Sequence, residues 1–201
     1  KAAGVPDHPL LHVAPEARRE LDGFLADRGI AGRLWLLQPG SKRTLKRGRL
    51  AALDDDKWWP VERWVQVARQ LLAAGRADHV LLCGAPSEQP LLQQIAAAAG
   101  DARLHALGDA LPLPRLLALC ERAVGMTSID TGPAHAAVAL GCPAVVLFGR
   151  ADPALWAPTG PAGTEALAMR PASEPHQVAG IPAEQVIEAC LQLAPRPLRP
   201  D

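Results

Sequence analysis

The sequence predicts an α/β domain with a Rossmann-like, doubly wound fold and a mainly parallel sheet of about six strands. Short apolar runs alternate with amphipathic helical segments along most of the 201 residues. Several of these runs are almost continuously apolar, which is typical of strands covered by helices on both faces. The loops with the most distinctive residues all follow predicted strands, where folds of this class collect their ligands.

Each element is predicted from its local pattern. The predicted strands are short, largely apolar runs bounded by turn residues, at 33–37, 79–83, 103–107, 123–129, 144–148 and, more weakly, 165–169. The predicted helices carry apolar side chains every three or four residues, at 15–27, 61–74, 88–99, 113–120, 133–140 and 183–193.

Charge and composition exclude several classes of partner. The chain has 21 Lys and Arg residues and 21 Asp and Glu residues, so its formal net charge is zero. Without a net positive charge, the chain has no overall electrostatic attraction for nucleic acid or an anionic membrane. No apolar run is long enough to span a bilayer, and residues 1–7 lack the apolar stretch of a signal peptide. The four cysteines stand far apart without a CxxC pair, which indicates small buried residues of a reducing compartment and no metal site.

The most informative motif is the turn after the fourth predicted strand. Asp130 or Thr131 can cap the Ala-rich helix that follows, Gly132 allows a ligand to approach the backbone, and Pro133 suits the first helical position. Free amides and the positive end of the helix dipole then form a site for phosphate. His135, in the first turn, adds a possible donor. An ordinary capped helix with an incidental histidine is the alternative interpretation.

Two further loops offer groups to the same kind of ligand. Gly40 and Ser41 follow the first strand and place an amide and a hydroxyl where a phosphate or sugar could bind, although alone they indicate only a turn. Lys57 lies just before a helix that begins near Pro60, where it could reach a diphosphate. A solvated lysine is the alternative, and we expect the neighbouring tryptophans to be core or interface anchors.

The loop after the second strand supplies a carboxylate. Gly84 permits a tight turn, Ser87 is a candidate helix cap, and Glu88 stands near the start of the helix. The helix dipole alone explains a carboxylate there, but Glu88 could equally accept hydrogen bonds from two ribose hydroxyls. No dinucleotide-binding, P-loop or hydrolase-elbow motif occurs.

Two other segments carry weaker signals. Residues 41–56 join a basic half to three consecutive aspartates, a pattern typical of a mobile surface loop, with contact to an anionic ligand as the alternative. After the fifth strand, Asp152 and Pro153 predict a turn, and Trp156 offers a face for stacking or an anchor for the loop.

Taken in order, these loops resemble the ADP-heptose:lipopolysaccharide heptosyltransferase family of bacterial glycosyltransferases. The resemblance extends over about residues 34–158. The matching residues are Lys57-Trp58-Trp59-Pro60 with Trp64, Gly84-Ala85-Pro86-Ser87-Glu88, Asp130-Thr131-Gly132-Pro133-Ala134-His135, Ala139-Leu140-Gly141-Cys142-Pro143, and Phe148-Gly149 with Asp152-Pro153. Gly180-Ile181-Pro182 before the last helix also matches.

The resemblance implies one half of a GT-B enzyme, namely the C-terminal domain that binds the nucleotide-sugar donor. Residues 1–30 would then be a leading helix and linker from a missing N-terminal domain, 31–194 the nucleotide-sugar-binding domain, and 195–201 a frayed tail. The family keeps its catalytic Asp in the N-terminal domain, so we expect no catalytic residue in this chain. Transfer of heptose to lipopolysaccharide core would be inverting, would need no metal or other cofactor, and would use ADP-heptose or a related nucleotide sugar.

Carried over residue by residue, the resemblance assigns the diphosphate and sugar to Asp130, Thr131, Gly132 and His135. Lys57 would neutralise the leaving group, with Ser41 nearby, and Glu88 with Gly84 would hold the ribose. The long 41–56 segment departs from the pattern of the family at Ser41. The lipopolysaccharide acceptor would bind through the missing domain. The resemblance implies a location in the cytoplasm, which extends to the inner face of the bacterial inner membrane. Association of the protein with that membrane would be at most peripheral.

Two alternatives remain open. The chain could belong to another GT-B enzyme, such as a nucleotide-sugar epimerase or a transferase of another sugar, because one fold serves several chemistries. It could also be a nucleotide-sugar binding module without catalytic activity.

Overall fold

The computed structural model describes residues 8–41, 55–194 and 196–197 of the chain. Its strands are β1 (Leu34–Gln38), β2 (His79–Leu82), β3 (Leu104–Ala106), β4 (Gly125–Ile129), β5 (Ala144–Leu147) and β6 (Ala166–Met169). They form a single sheet in the order β3-β2-β1-β4-β5-β6, and every neighbouring pair is parallel. The predicted parallel sheet of about six strands is therefore confirmed.

Helices follow the strands and cover both faces of the sheet. They are α1 (Pro15–Ala26), α2 (Val61–Ala73), α3 (Gln89–Ala99), α4 (Leu113–Arg122), α5 (Gly132–Ala139), α6 (Pro153–Trp156) and α7 (Ala183–Gln192), with 3-10 turns at Pro86–Glu88 and Val178–Gly180. Helix α6 stands where the sequence predicted only a turn. It forms because the Asp152 carboxylate accepts the Ala154 N–H at 3.0 Å and Pro153 occupies the first turn.

The two faces of the sheet build separate hydrophobic clusters, as a doubly wound fold requires. Because strand side chains alternate, Trp35 and Leu37 of β1 pack with α2, α3 and α7, whereas Leu34 and Leu36 pack with α1, α4 and α5. All five residues of β1 are buried. Residues 34–37 of this strand are all apolar because helices cover both faces of the sheet, as the sequence indicated.

Buried aromatic and thiol side chains confirm two of the sequence-based expectations. Trp59 and Trp64 are buried and meet edge to face, with ring centroids 4.9 Å apart. The Trp59 indole N–H also donates to the carbonyl of Ile181 at 2.9 Å, which ties the start of α2 to the start of α7. All four cysteines are free and buried.

Residues near both ends of the described chain pack against the region around α4. Helix α1 lies on α4, and the Arg18 guanidinium donates two hydrogen bonds, of 2.6 and 2.9 Å, to the carboxylate of Glu121. Of the tail expected to fray, the structure describes residues 196 and 197. Arg196 is held by three hydrogen bonds, because its backbone N–H donates to Val124 and its guanidinium donates to the carbonyls of Glu121 and Leu140.

The order of the strands reverses between β1 and β4, which creates a crevice at their carboxyl ends. Most of the 41–56 segment, whose mobility the sequence predicted, lies outside the described residues. Asp55 and Asp56 at its end are buried, and the Asp56 carbonyl accepts the N–H of Val178 at 2.8 Å. Gly149 permits this packing, since a Cβ atom there would lie 2.4 Å from the Asp56 carbonyl oxygen.

Candidate functional site

A cleft of about 660 Å³ opens at the carboxyl ends of β1, β2 and β4. Its lining residues come from four loops and are Gln38, Gly40, Ser41, Lys57, Gly84, Ala85, Pro86, Ser87, Glu88, Leu111, Leu113, Leu116, Asp130, Thr131, Gly132 and Pro133. The structure therefore brings together every site residue that the sequence singled out except His135. His135 does not line the cleft, but its Nε2 lies 3.5 Å from the carboxylate of Asp130, which does.

The amino terminus of α5 opens into this cleft without a side-chain cap. The helix begins at Gly132, so Pro133 occupies its second position and not the predicted first one. The predicted capping by Asp130 or Thr131 is wrong, because no side chain accepts from the first-turn amides and the Thr131 hydroxyl donates to the Ile129 carbonyl at 3.2 Å. A Cβ atom on Gly132 would meet no heavy atom within 4 Å. The backbone at this point is consequently open to an approaching anion.

Asp130 points away from the helix amides because two basic side chains hold it. The Lys57 ammonium lies 2.8 Å from one carboxylate oxygen and donates to the Asp130 carbonyl at 2.6 Å. The other carboxylate oxygen lies 3.5 Å from Nε2 of His135. The contact with His135 and then the one with Lys57 lower the pKa of Asp130, while burial acts in the opposite direction. These contacts favour the ionised form of Asp130, which fixes the positions of two possible donors.

Lys57 reaches the cleft because the segment before α2 is pinned at several points. Its backbone N–H donates to the Asp55 carboxylate at 3.1 Å, and the buried Trp59 anchors the chain two residues later. The Lys57 side chain is 20% exposed. The result is a positive charge beside the open amides of α5, although Lys57 and Asp130 are 73 residues apart in the chain.

Glu88 lies on the other side of the cleft in a different environment. It is 4% exposed, and its carboxylate accepts the backbone N–H of Ala85 at 2.7 Å. Burial raises the pKa of Glu88, and hydrogen bonds from Ala85 and Gln38 partly offset that rise. The predicted cap at Ser87 is wrong, because α3 starts after a 3-10 turn with Glu88 preceding its first residue and without a side-chain cap.

Two glycines make room for this carboxylate. A Cβ atom on Gly40 would lie 2.5 Å from one Glu88 oxygen, and one on Gly84 would lie 2.9 Å from the other. The glycines after β1 and β2 therefore let two loops close around Glu88. Gly84 acts here by giving space to a side chain as well as by forming the turn that the sequence predicted.

An apolar wall completes the cleft, and sequence reasoning missed it. Leu111, Leu113 and Leu116 line the cleft from the loop after β3 and the first turn of α4. Leu113 is 66% exposed, so its apolar side chain is accessible from the cleft. The available signal is the Leu-Pro-Leu-Pro run at 111–114, shortly after the predicted strand 103–107, but in sequence this run predicts only the start of a helix. Such a wall suits the flat face of a nucleobase.

The described residues contain no group of three or more His, Cys, Asp and Glu side chains able to hold a metal ion. Within the same residues, no helix is long and apolar enough to cross a membrane. The polar groups of the cleft are therefore a lysine, two carboxylates, hydroxyls and backbone amides.

Comparison with known proteins identifies the family of the chain. The model of glycosyltransferase family 9 (heptosyltransferase) matches residues 45–184. Lipopolysaccharide heptosyltransferase 3 of Escherichia coli strain K12 is 29% identical over 143 residues, which cover 70% of this chain and 37% of that protein.

Solved structures share the fold at lower identity. The ADP-heptose lipopolysaccharide heptosyltransferase II of E. coli superposes with a TM-score of 0.70 at 21% identity, covering 93% of this chain and 55% of that one. The E. coli heptosyltransferase WaaC with ADP gives a TM-score of 0.62 at 23% identity, covering 94% of this chain and 52% of that one. This chain thus spans little more than a third of its curated relative and about half of each solved structure. The family match extends over most of the chain, and the protein belongs to glycosyltransferase family 9, the heptosyltransferase family.

Proposed function

We propose that this chain binds the nucleotide-sugar donor of an inverting glycosyltransferase that transfers heptose from ADP-heptose to lipopolysaccharide core. The donor and acceptor follow from the names of its relatives, which are lipopolysaccharide heptosyltransferases, one of them solved with ADP. We take residues 31–194 as the donor-binding domain. Residues 1–30 would then lead from an N-terminal acceptor domain outside this chain.

The observation that carries this proposal is the meeting of Lys57 with the open amino terminus of α5. A diphosphate needs several hydrogen-bond donors and a positive charge at one place. The first-turn amides of a helix are such donors, and the helix dipole gives that end a partial positive charge. Lys57, fixed by its ion pair with Asp130 at 2.8 Å, adds an ammonium donor beside them. We therefore place the diphosphate over Gly132 and Thr131, with Lys57 and Ser41 at its sides.

The remaining groups of the cleft fit the rest of the donor. The Glu88 carboxylate would accept hydrogen bonds from the two ribose hydroxyls, and the leucine wall at 111, 113 and 116 would cover the base. The sugar would then lie on the far side of the diphosphate, near Asp130 and His135. In this assignment Asp130 does not contact the diphosphate, because the two negative charges would repel each other. It holds Lys57 in place for the diphosphate and makes direct contacts only with hydroxyls of the sugar.

The chemistry proposed is displacement at the anomeric carbon. The acceptor hydroxyl forms the new glycosidic bond, the bond to the diphosphate oxygen breaks, and the diphosphate leaves with the electron pair. Lys57 and the α5 amides stabilise that leaving group, so the proposal includes no metal ion. The proton of the attacking hydroxyl needs a base, which we assign to the acceptor domain and not to this chain. The acceptor would reach the enzyme at the cytoplasmic face of the membrane, with at most peripheral association.

Calorimetric titration of the chain with ADP, UDP, GDP, CDP and ADP-heptose tests the donor assignment. We expect ADP and ADP-heptose to bind and the other diphosphates to bind at least tenfold more weakly, because the base lies against a shaped apolar wall. Equal affinity for all four diphosphates, or no binding of ADP, would contradict the proposal.

A transfer assay tests the division of labour between the two domains. The chain is incubated with ADP-heptose and a truncated lipopolysaccharide, with and without a separately expressed N-terminal domain. We expect no transfer by the chain alone and some recovery on addition of the other domain. Transfer by the chain alone would require a base among Asp130, Glu88 and Asp152.

A further inference from the structure

Gln38 is a polar side chain buried at the end of an otherwise apolar strand. Residues 34–37 of β1 are apolar, and Gln38 is 4% exposed. It lines the cleft at the carboxyl end of β1, a strand that lies in the sheet between β2 and β4. Gln38 therefore stands between the strand that leads to Glu88 and the strand that leads to Asp130. Because a buried amide needs hydrogen-bond partners, its contacts indicate its task.

Two acceptors fix the orientation of the Gln38 amide. Its nitrogen donates to the carbonyl of Gly40 at 3.0 Å. A second hydrogen bond, to the carboxylate of Glu88, opposes the rise that burial causes in the pKa of Glu88. A carbonyl and an ionised carboxylate accept hydrogen bonds and donate none, so both hydrogens of the amide face these two groups. The amide oxygen of Gln38 is therefore turned away from them.

The charge of Glu88 depends on neutral donors. One of its carboxylate oxygens accepts the Ala85 N–H at 2.7 Å, and the other lies 2.5 Å from the place that a Cβ atom on Gly40 would take. No ion pair of Glu88 occurs within the part of the chain that the structure describes. The Ala85 N–H and the Gln38 amide are thus the groups that favour its ionised form. An ionised carboxylate can accept hydrogen bonds from a ligand through both oxygens.

The side-chain oxygen of Gln38 is available to a ligand. It accepts no hydrogen bond from the residues that the structure describes, and it is not one of their enclosed side-chain atoms without a partner. Because the oxygen and the nitrogen of an amide are bonded to the same carbon, this oxygen lies close to the Glu88 carboxylate. The cleft thus offers two neighbouring acceptors on one wall, which suits a pair of adjacent hydroxyls.

We propose that Gln38 is a positioning and specificity-determining residue for the ribose of the donor. Its amide hydrogens hold the Glu88 carboxylate and the Gly40 loop in place, and its oxygen accepts a hydrogen bond from one ribose hydroxyl. This inference rests on the proposed binding of a nucleotide sugar with its ribose at Glu88. The site then selects ribonucleotides over 2′-deoxyribonucleotides, because a ligand without one hydroxyl leaves a buried acceptor unpaired.

Calorimetric titration of the full chain with ADP and 2′-deoxy-ADP measures this selectivity. We expect the parent to bind ADP about tenfold more tightly than 2′-deoxy-ADP. Gln38→Met keeps the length of the side chain but removes its donors and its acceptor, so the preference should fall to about twofold or less. Gln89→Met is the matched control, because the Gln89 amide bonds to Gly108 and Ala106. Its preference should stay at the parent value even where both affinities fall.

A second variant separates positioning of Glu88 from a general effect on the fold. Gln38→Glu keeps the shape of the side chain but places a carboxyl group beside Glu88. At about pH 5 the two groups share a proton, which restores a donor between them, so ADP affinity should approach that of the parent. At about pH 9 both are ionised and repel each other, so ADP should bind about tenfold more weakly than to the parent at the same pH. Titration of Lys57, Asp130 and the ADP phosphates affects both chains alike.

The outcomes separate this inference from the proposed function. A parent chain that does not bind ADP overturns both. A parent that binds ADP and 2′-deoxy-ADP equally overturns the ribose selectivity and leaves the diphosphate assignment intact. A parent preference that persists in Gln38→Met, or a loss in Gln38→Glu that does not change with pH, overturns the role of Gln38 alone. If Gln38→Met does not fold, as judged by its melting curve, the pH profile of Gln38→Glu decides.

Discussion

Asp130 and Glu88 lie in one cleft, both follow parallel strands, and their pKa values shift in opposite directions. Asp130 faces two basic side chains, Lys57 and His135, so its ionised form is favoured. Glu88 is enclosed by two glycine-bearing loops, and burial there disfavours its charge more than the amide donors can offset. The difference shows that the neighbours of a carboxylate, and not its position after a strand, decide its charge and hence its role.

This contrast assigns different tasks to the two sides of the cleft. The Asp130 side combines the Lys57 ammonium with the open first-turn amides of α5, which suits a diphosphate and its departure. The Glu88 side offers an acceptor in a dry environment, where hydrogen bonds to hydroxyls are strong and discriminating. The variants below separate the two tasks.

The largest expected effect comes from closing the Asp130 side with Gly132→Val. A Cβ atom at this position meets no heavy atom within 4 Å, so the variant should keep the melting temperature of the parent while its side chain covers the amides of α5. We expect ADP affinity to fall about a hundredfold, as measured by calorimetry. Gly23→Val is the matched control, because Gly23 is also helical, open and outside the positive-φ glycines. Parental ADP affinity in a folded Gly132→Val chain would remove the diphosphate from this turn.

Removal of the positive charge should have the next largest effect. Lys57→Ala loses one charge-assisted hydrogen bond to the diphosphate, worth about 1.5–3 kcal/mol, so ADP should bind roughly tenfold to a hundredfold more weakly. Adenosine, which lacks phosphates, should bind the variant and the parent equally. A similar loss for both ligands would mean that Lys57 supports the fold of the cleft and does not bind phosphate.

The Glu88 side is tested by an isosteric change. Glu88→Gln can still accept the Ala85 N–H but loses the charged acceptor for ribose, so ADP affinity should fall about tenfold. The affinity of 2′-deoxy-ADP, which lacks one of the two hydroxyls, should fall less. Because the variant also removes a buried charge, we expect its free energy of unfolding at pH 7 to exceed that of the parent. Lower stability together with unchanged ADP affinity would contradict both parts of this expectation.

The smallest effect is the pH dependence of stability, and it should have opposite signs on the two sides. Asp130 has a lowered pKa, so its stabilising contribution is complete above the ordinary value of 3.8 and is lost as pH falls through the lowered pKa. Glu88 has a raised pKa, so its contribution is complete below the ordinary value of 4.5 and is lost as pH rises through the raised pKa.

Urea unfolding of the parent, Asp130→Asn and Glu88→Gln over a series of pH values measures these contributions. Asp130→Asn should lose less stability than the parent on acidification below pH 3.8, and Glu88→Gln should lose less than the parent when pH rises from 4.5 to 7. Parallel pH profiles for all three chains would show that the two environments do not differ as described.

Much of the fold could be predicted because its signals are local. The predicted strands and helices coincide with the observed ones to within about two residues at most ends, since buried parallel strands and amphipathic helices each have their own period. The short helix α6 was missed because four residues hold too few periods to show one. The two caps proposed at Asp130 or Thr131 and at Ser87 failed for another reason. The Asp130 carboxylate pairs with the distant Lys57, and the Thr131 hydroxyl donates to the nearby Ile129 carbonyl, so neither side chain accepts from the α5 amides. At Ser87 a 3-10 turn precedes α3 and moves the start of the helix to Gln89.

By itself, the sequence determined the α/β class, the order of the elements and the residues that follow each strand. The repeat of apolar residues, the turn residues and the starts of helices all depend on residues that are neighbours in the chain. Only the tertiary structure decided which of these loops meet. The reversal of strand order between β1 and β4 brings Lys57 to Asp130, whereas the pairing of β1 with β2 brings Glu88 to Gly40. The leucine wall comes from the segment after β3, and no single motif predicts that it joins the cleft. The opposite pKa shifts of Asp130 and Glu88 arise at the same level, since burial and charge pairing exist only once distant segments have packed.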